Sequence, residues 1–234
     1  MCAWRCGPPG RQRSGEAAVA VVFDADFTST RQWIAGRSSA YPRMGPTNRS
    51  DHKLDYLSRD YCPDGQFTAV RRHSGGLWSC SLLTTEGSPD GFQLRAGDVL
   101  SASVTLPVEL GAWPAIWTWR DGGNEVDVFE YHPDNPDLLE ISNHVRGGFR
   151  YWHGASAGIG PGATFGLRVV LGANSVDWYV EDELVYADLH GVGAAWHAYL
   201  IVNMSVADGT YHDRPPYGGP DRLSWVCHSL QVER

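Results

Sequence analysis

Short runs in which apolar and polar residues alternate recur along this chain from Val19 to its end, and most are closed by glycine, proline, asparagine or aspartate. Val99–Leu106 is the clearest, with Val104 and Leu106 set against Ser101, Ser103 and Thr105. A period of two puts alternate side chains on opposite faces and marks a half-buried strand. The same reading predicts strands over Val19–Phe23, Phe67–Val70, Leu77–Thr85, Ala115–Trp119, Glu125–Tyr131, Leu139–Val145 and Phe149–Trp152. Further strands are predicted over Phe165–Leu171, Ser175–Val180, Leu184–Tyr186, Tyr199–Val206 and Leu223–Val232. Turn signals such as Gly75-Gly76, Gly87-Ser88-Pro89, Gly147-Gly148 and Glu181-Asp182 separate them. No long amphipathic helix is legible. Many short strands at close spacing predict an all-β sandwich or jelly roll. Residues 36–66 form the longest irregular stretch, crowded with Gly, Pro, Asn and Tyr as in a loop lining a cleft. Residues 1–18 carry Pro8-Pro9-Gly10 and arginines without periodicity and are expected to be a disordered tail, leaving 19–234 as one domain.

One predicted strand stands out. Glu125-Val126-Asp127-Val128-Phe129-Glu130 holds three carboxylates in six residues. Strict alternation puts Glu125 and Asp127 on one face and Glu130 on the other. A β-bulge at Val128 or Phe129 would return Glu130 to the face of the other two, and bulges recur beside active sites. Acids gathered on one face raise one another's pKa, so one stays protonated while another stays charged. Glycosidic bond cleavage needs that division of labour. A solvated acidic strand or a cation site would show the same spacing, so the residues alone leave these readings open. Upstream, Trp113, Trp117 and Trp119 share parity, and the short turn Arg120–Asn124 returns the chain antiparallel into the acid strand. Trp113 and Trp117 are thereby expected to stack on sugar rings beside the carboxylates, with Trp119 buried.

Composition narrows the partners. The net charge is −8, from 19 basic against 27 acidic residues, which argues against nucleic acid or an anionic membrane and fits a neutral substrate. Ten Trp and ten Tyr against seven Phe favour amphipathic rings, as sugar-binding clefts do. No apolar run approaches the roughly 20 residues that span a bilayer, and Ala17–Phe23 does not read as a signal peptide. Five cysteines cannot all pair within one chain; Cys62 and Cys80 are expected to lie close enough to form a disulfide.

Trp113-Pro114-Ala115-Ile116-Trp117, followed by Glu-x-Asp-x-x-Glu at Glu125, Asp127 and Glu130, resembles family 16 of the glycoside hydrolases in its bulged, laminarinase-like form. Phe23–Phe27, Ser81–Thr85, Val176–Val180 and Tyr199–Val206 resemble other strands of that family, so only residues 1–18 fall outside the likeness. The resemblance implies a concanavalin-like β-jelly roll of two antiparallel sheets with a concave substrate cleft. It implies a retaining endo-β-glycanase, with Glu125 as nucleophile, Glu130 as acid/base and Asp127 tuning the pair. His144 then faces the cleft near the acid/base, Asn203 lies on the strand facing the acid strand, and His132 and His153 are secondary candidates. The chain departs from the family after Asn203, where Ser205–Tyr211 replaces the usual Gly-Gly turn and Trp; this bears on substrate choice.

The expected substrate is a neutral polysaccharide or oligosaccharide, foremost β-1,3-glucan, acted on by a monomer without a cofactor. The resemblance also allows a structural Ca²⁺ on the convex face, to which Asp24 or Asp26 would contribute, and it implies secretion. Alternatives of the same class are a β-galactan hydrolase, for which Arg43, Arg146 and Arg150 could meet sulfate, and a transglycosylase. A non-catalytic lectin on the same scaffold is the alternative of another class, but it has no reason to carry both Glu125 and Glu130.

Overall fold

The computed structural model describes residues 20–41, 45–46, 51–120 and 123–234. The tail expected over residues 1–18, and Arg43, lie outside the described residues. In chain order the strands are β1 (Val21–Asp24), β2 (Ile34–Ala35), β3 (Gly45–Pro46), β4 (Asp55–Leu57), β5 (Gln66–Arg71), β6 (Trp78–Cys80), β7 (Leu82–Thr84), β8 (Leu94–Arg95) and β9 (Val99–Thr105). They continue as β10 (Ala112–Trp119), β11 (Val126–Tyr131), β12 (Leu138–Asn143), β13 (Gly148–His153), β14 (Thr164–Leu171), β15 (Val176–Val180), β16 (Glu183–Ala187), β17 (His197–Val206) and β18 (Arg222–Glu233). The described helical structure is confined to 3₁₀ turns such as Pro63–Gly65 and Ala155–Ala157, so no described helix is long and apolar enough to cross a membrane.

Two sheets result, antiparallel apart from the β4–β6 pair. One runs β16-β15-β14-β9-β18-β5-β6-β4-β3, with β1 added on β18; the other runs β13-β12-β11-β10-β17-β7-β2, with β8 added on β17. The fold is the all-β jelly-roll sandwich that the alternation predicts. In β9, Leu100, Ala102 and Val104 turn inward while Ser101, Ser103 and Thr105 turn outward. The inner faces interdigitate: Phe129 of β11 meets Trp225 of β18 edge to face at 5.7 Å, and Trp225 stacks on Phe67 at 5.1 Å. Aromatic pairs of this kind add to the burial of apolar area that holds the sheets together.

Several details differ from the sequence reading. The stretch 36–66, expected to be irregular, holds β3 and β4. The strand expected over Leu77–Thr85 is two strands. Trp78–Cys80 pairs in the first sheet and Leu82–Thr84 in the second, and Ser81 is the corner, exchanging two hydrogen bonds with Thr68. A strand that changes sheets in this way ties the sandwich together at its edge. The expected Cys62–Cys80 disulfide is absent; both thiols are free and buried. Each has its own partner, Ser81 for Cys62 and the Asp55 carboxylate, at 3.3 Å, for Cys80.

Candidate active site

β10 alternates between the core and the open face of its sheet. Ala112 and Ile116 enter the main core, while Trp113, Ala115, Trp117 and Trp119 point the other way. A tight hairpin leads into β11, closed by paired backbone hydrogen bonds between Arg120 and Gly123, both 2.9 Å. Asn124 takes a left-handed conformation (φ 65°), which asparagine tolerates better than most residues. Thr118 Oγ1 accepts from Val126 N and donates to Asn124 O, locking the entry to the acid strand.

The bulge is present. Trp117 pairs with Asp127, Ile116 with Phe129 and Ala115 with Glu130, so Val128 is the extra residue. On the other side, Asp127 faces Ser142 and Glu130 faces Glu140, so that Val128 and Phe129 stand against Ile141 alone, two residues against one. Val128 and Phe129 both enter the core, and Glu130 returns to the face of Asp127. Trp178 of the opposite sheet donates its indole N–H to the Asp127 carbonyl at 3.0 Å, pinning the backbone at the bulge.

Around this row the side chains are closely knit. Ser142 Oγ donates to Asp127 Oδ2, and His144 Nε2 lies 3.3 Å from the same oxygen. One ligand-capable atom from each of Glu125, Asp127 and His144 lies within 4.8 Å of the other two. Trp113 Nε1 donates to Glu130 Oε1 at 3.1 Å. Lys53, on the segment before β4, sits over the Trp113 ring with its Nζ 4.3 Å from the centroid, and 3.3 Å from the Tyr41 hydroxyl. Burial, then the Asp127 charge, pushes Glu125 up to about 7. The same two causes push Glu130 up to about 8, against the opposing pull of Lys53 and the Trp113 hydrogen bond. His144 is raised by its hydrogen bond to Asp127, with burial opposing.

The structure brings together most of the residues expected to act. Glu125, Asp127, Glu130 and Trp113 share one face, and the half-exposed His144 reaches Asp127. Asn203 pairs with Ala115 on the neighbouring strand. Its Oδ1 accepts from Trp117 Nε1 at 2.7 Å and its Nδ2 donates to Ser205 Oγ, so it supports the floor of the cleft. Trp117 is 6% exposed and packs with Leu57, Leu82, Ala115 and Ile201, under the edge of Tyr41. Trp119, expected to be buried, is only half-buried, packed against the same cluster and edge to face with Trp117 at 6.1 Å. His132 lies against Trp113 with the rings tilted by 58°, and His153 lies at the exposed far end of β13, 3.8 Å from Asp137.

Residues that sequence reasoning passed over complete the cleft. Strand pairing sets Tyr151 opposite Glu140 and Phe149 opposite Ser142. Both rings are about half exposed and meet edge to face at 4.5 Å. A cleft of about 580 Å³ is lined by Trp113, Glu140, Tyr151, Tyr211 and their neighbours. Tyr151 was within reach of parity, being on the same face as Glu140 in the next strand. Lys53, Tyr211 and His212 come from distant loops, and no local pattern points to them.

No protein-family model and no curated protein matches this chain. Similarity appears among solved structures. An endo-β-1,3-glucanase from Pyrococcus furiosus superposes with a TM-score of 0.72 at 19% identity, over 92% of this chain and 94% of that one. A laminarinase from Rhodothermus marinus gives 0.70 at 20% identity, over 92% and 97%. The catalytic domain of an endo-1,3-β-glucanase from Thermotoga petrophila gives 0.71 at 16%, over 92% and 98%. At these identities the likeness establishes the shared fold.

Proposed function

We propose that this protein is a retaining endo-β-glycanase acting on a neutral glucan, foremost one with β-1,3 linkages. The observation that carries the proposal is the bulge at Val128, which gathers Glu125, Asp127 and Glu130 on one face, with the Trp113 indole beside Glu130. A bare acidic strand has no need of that distortion, nor of an indole N–H aimed at Glu130.

In this reading Glu125 attacks the anomeric carbon while Glu130, protonated near neutral pH, gives its proton to the departing glycosidic oxygen. Glu130, now a carboxylate, takes a proton from the water that hydrolyses the glycosyl ester, which restores both groups. Trp113 holds the Glu130 carboxyl in orientation. Asp127, held by Ser142 and His144, lies beside both acids and raises the pKa of each. The exposed rings of Tyr151 and Phe149 offer stacking surfaces along the cleft.

A neutral substrate suits the placement of the arginines. Arg150 points to the face of β13 opposite Tyr151, and the Arg146 guanidinium packs over Gly193. The β-1,3 preference rests on the structural likeness to enzymes named for that linkage. Reducing-end release from laminarin, lichenan, agarose and carrageenan tests the proposal. Cleavage of laminarin ahead of the others is expected. Binding of laminarin without release would make the chain a lectin, and preference for carrageenan would overturn the neutral-substrate reading.

A further inference from the structure

We infer that His132, His212 and Asp134 form a binding site for a divalent transition-metal ion of the Zn²⁺ class at one wall of the cleft. One donor atom from each of the three lies within 4.8 Å of the other two. Two segments supply them: the connection from β11 to β12, which carries His132 and Asp134, and the loop between β17 and β18, which carries His212.

His132 is the telling residue. It is 2% exposed, and neither ring nitrogen has a hydrogen-bond partner. Buried polar groups are almost always satisfied, so an imidazole with two idle nitrogens implies something that the protein chain does not supply.

His212 has the surroundings of a ligand. Its Nδ1 lies 3.2 and 3.3 Å from the two Asp134 oxygens. Bonds of 2.0–2.1 Å in a tetrahedral site give donor–donor edges of about 3.3 Å. Its other nitrogen, Nε2, lies 3.5 Å from Glu140 Oε1, and a ligating histidine commonly gives its second N–H to a carboxylate in this way. Asp213 N donates to Asp134 Oδ2 at 3.0 Å, holding the loop to the turn.

The two imidazoles lie face to face, centroids 3.4 Å apart and 3° from parallel. Lone pairs lie in the ring plane, so an ion shared by both requires one ring to tilt. His212, on the loop, is the one to move. Two nitrogens and one carboxylate oxygen favour Zn²⁺, Co²⁺ or Ni²⁺ over Ca²⁺ or Mg²⁺, which prefer all-oxygen shells. Trp113 touches both rings, at 4.6 and 6.2 Å, so an ion here would sit beside the group that orients Glu130. Inhibition of glycan cleavage by micromolar Zn²⁺ follows from that placement, but the ion site does not depend on the catalytic reading.

The test is metal binding itself. Chelator-treated full-length protein is titrated with Zn²⁺ by calorimetry and with Co²⁺ by visible absorption. One equivalent bound with a dissociation constant of order 1 μM or tighter is expected, with the ligand-field bands of tetrahedral Co²⁺. His132→Gln and His212→Gln should each weaken binding at least ~100-fold, and Glu140→Gln about 10-fold, as loss of an orienting partner does. His190→Gln is the surface control and should change nothing. If His132→Gln fails to fold, His212→Gln, altered on a loop, carries the test alone. No saturable binding up to ~100 μM, or equal binding by wild type and both histidine variants, would overturn the assignment.

Discussion

Trp113 Nε1 donates a hydrogen bond to Glu130 Oε1 over 3.1 Å, across the strand pair on which the bulge returns Glu130 to the cleft face. This contact ties an aromatic ring to the carboxyl proposed above as the acid/base. It stabilises the charged form, and so holds the Glu130 pKa below where burial alone would put it.

Trp113→Phe keeps a ring and removes the donor. The basic limb of the kcat/KM–pH profile should therefore move to higher pH. The kcat/KM at the optimum should fall about 10-fold, the scale of one hydrogen bond to a charged group. An unchanged profile would remove the contact from the mechanism.

The pH profile of the wild type should be a narrow bell. Glu125 must be ionised, and burial with the Asp127 charge has pushed it up to about 7; Glu130 must be protonated, and the same causes have pushed it up to about 8. Activity should rise through the lower value and fall through the upper one, as macroscopic values of the interacting pair. Initial rates across pH 4 to 10 give both limbs.

Stability should run the other way. A carboxyl whose pKa is raised in the folded state binds more protons folded than unfolded between its unfolded value, about 4.5, and its folded value, about 8. Stability then falls as pH rises through that window. Glu130→Gln removes the penalty. Its melting temperature should exceed that of wild type at pH 8, and the difference should vanish near pH 4 while kcat drops by several orders of magnitude. A variant less stable than wild type at pH 8 would contradict the assigned shift.

The two downstream tryptophans should separate cleanly. Trp117 is buried, with its N–H committed to Asn203, so Trp117→Ala should cost about 3–5 kcal/mol of stability. Half-buried Trp119 should cost distinctly less, and any rise in KM should come from Trp113→Ala and Trp119→Ala. Paired melting and KM measurements decide; equal destabilisation by Trp117→Ala and Trp119→Ala would contradict the packing described.

Much of this was legible because strand parity is a hard constraint. The odd position of Glu130 relative to Asp127 required an extra residue, and Val128 supplies it. The shared parity of Trp113, Trp117 and Trp119 likewise put them on one face. What parity does not carry is what lies over that face. Trp117 is covered because Tyr41, and Leu57 of β4, arrive from some sixty or more positions away, whereas Trp119, at the end of β10, stays half-buried. Lys53 and His212 enter the cleft by the same long-range route. Leu77–Thr85 read as one strand because the turn at Ser81 breaks the pairing without breaking the hydrophobic run.

The account stands most directly on the stereochemistry of the first product. Proton NMR of a laminarin oligosaccharide, followed from the start of hydrolysis, should show the β-anomer of the new reducing end appearing first and mutarotating later, as two displacements through Glu125 require. First appearance of the α-anomer would mean a single displacement by water between carboxyls set wider apart, and would contradict the roles given to Glu125 and Glu130.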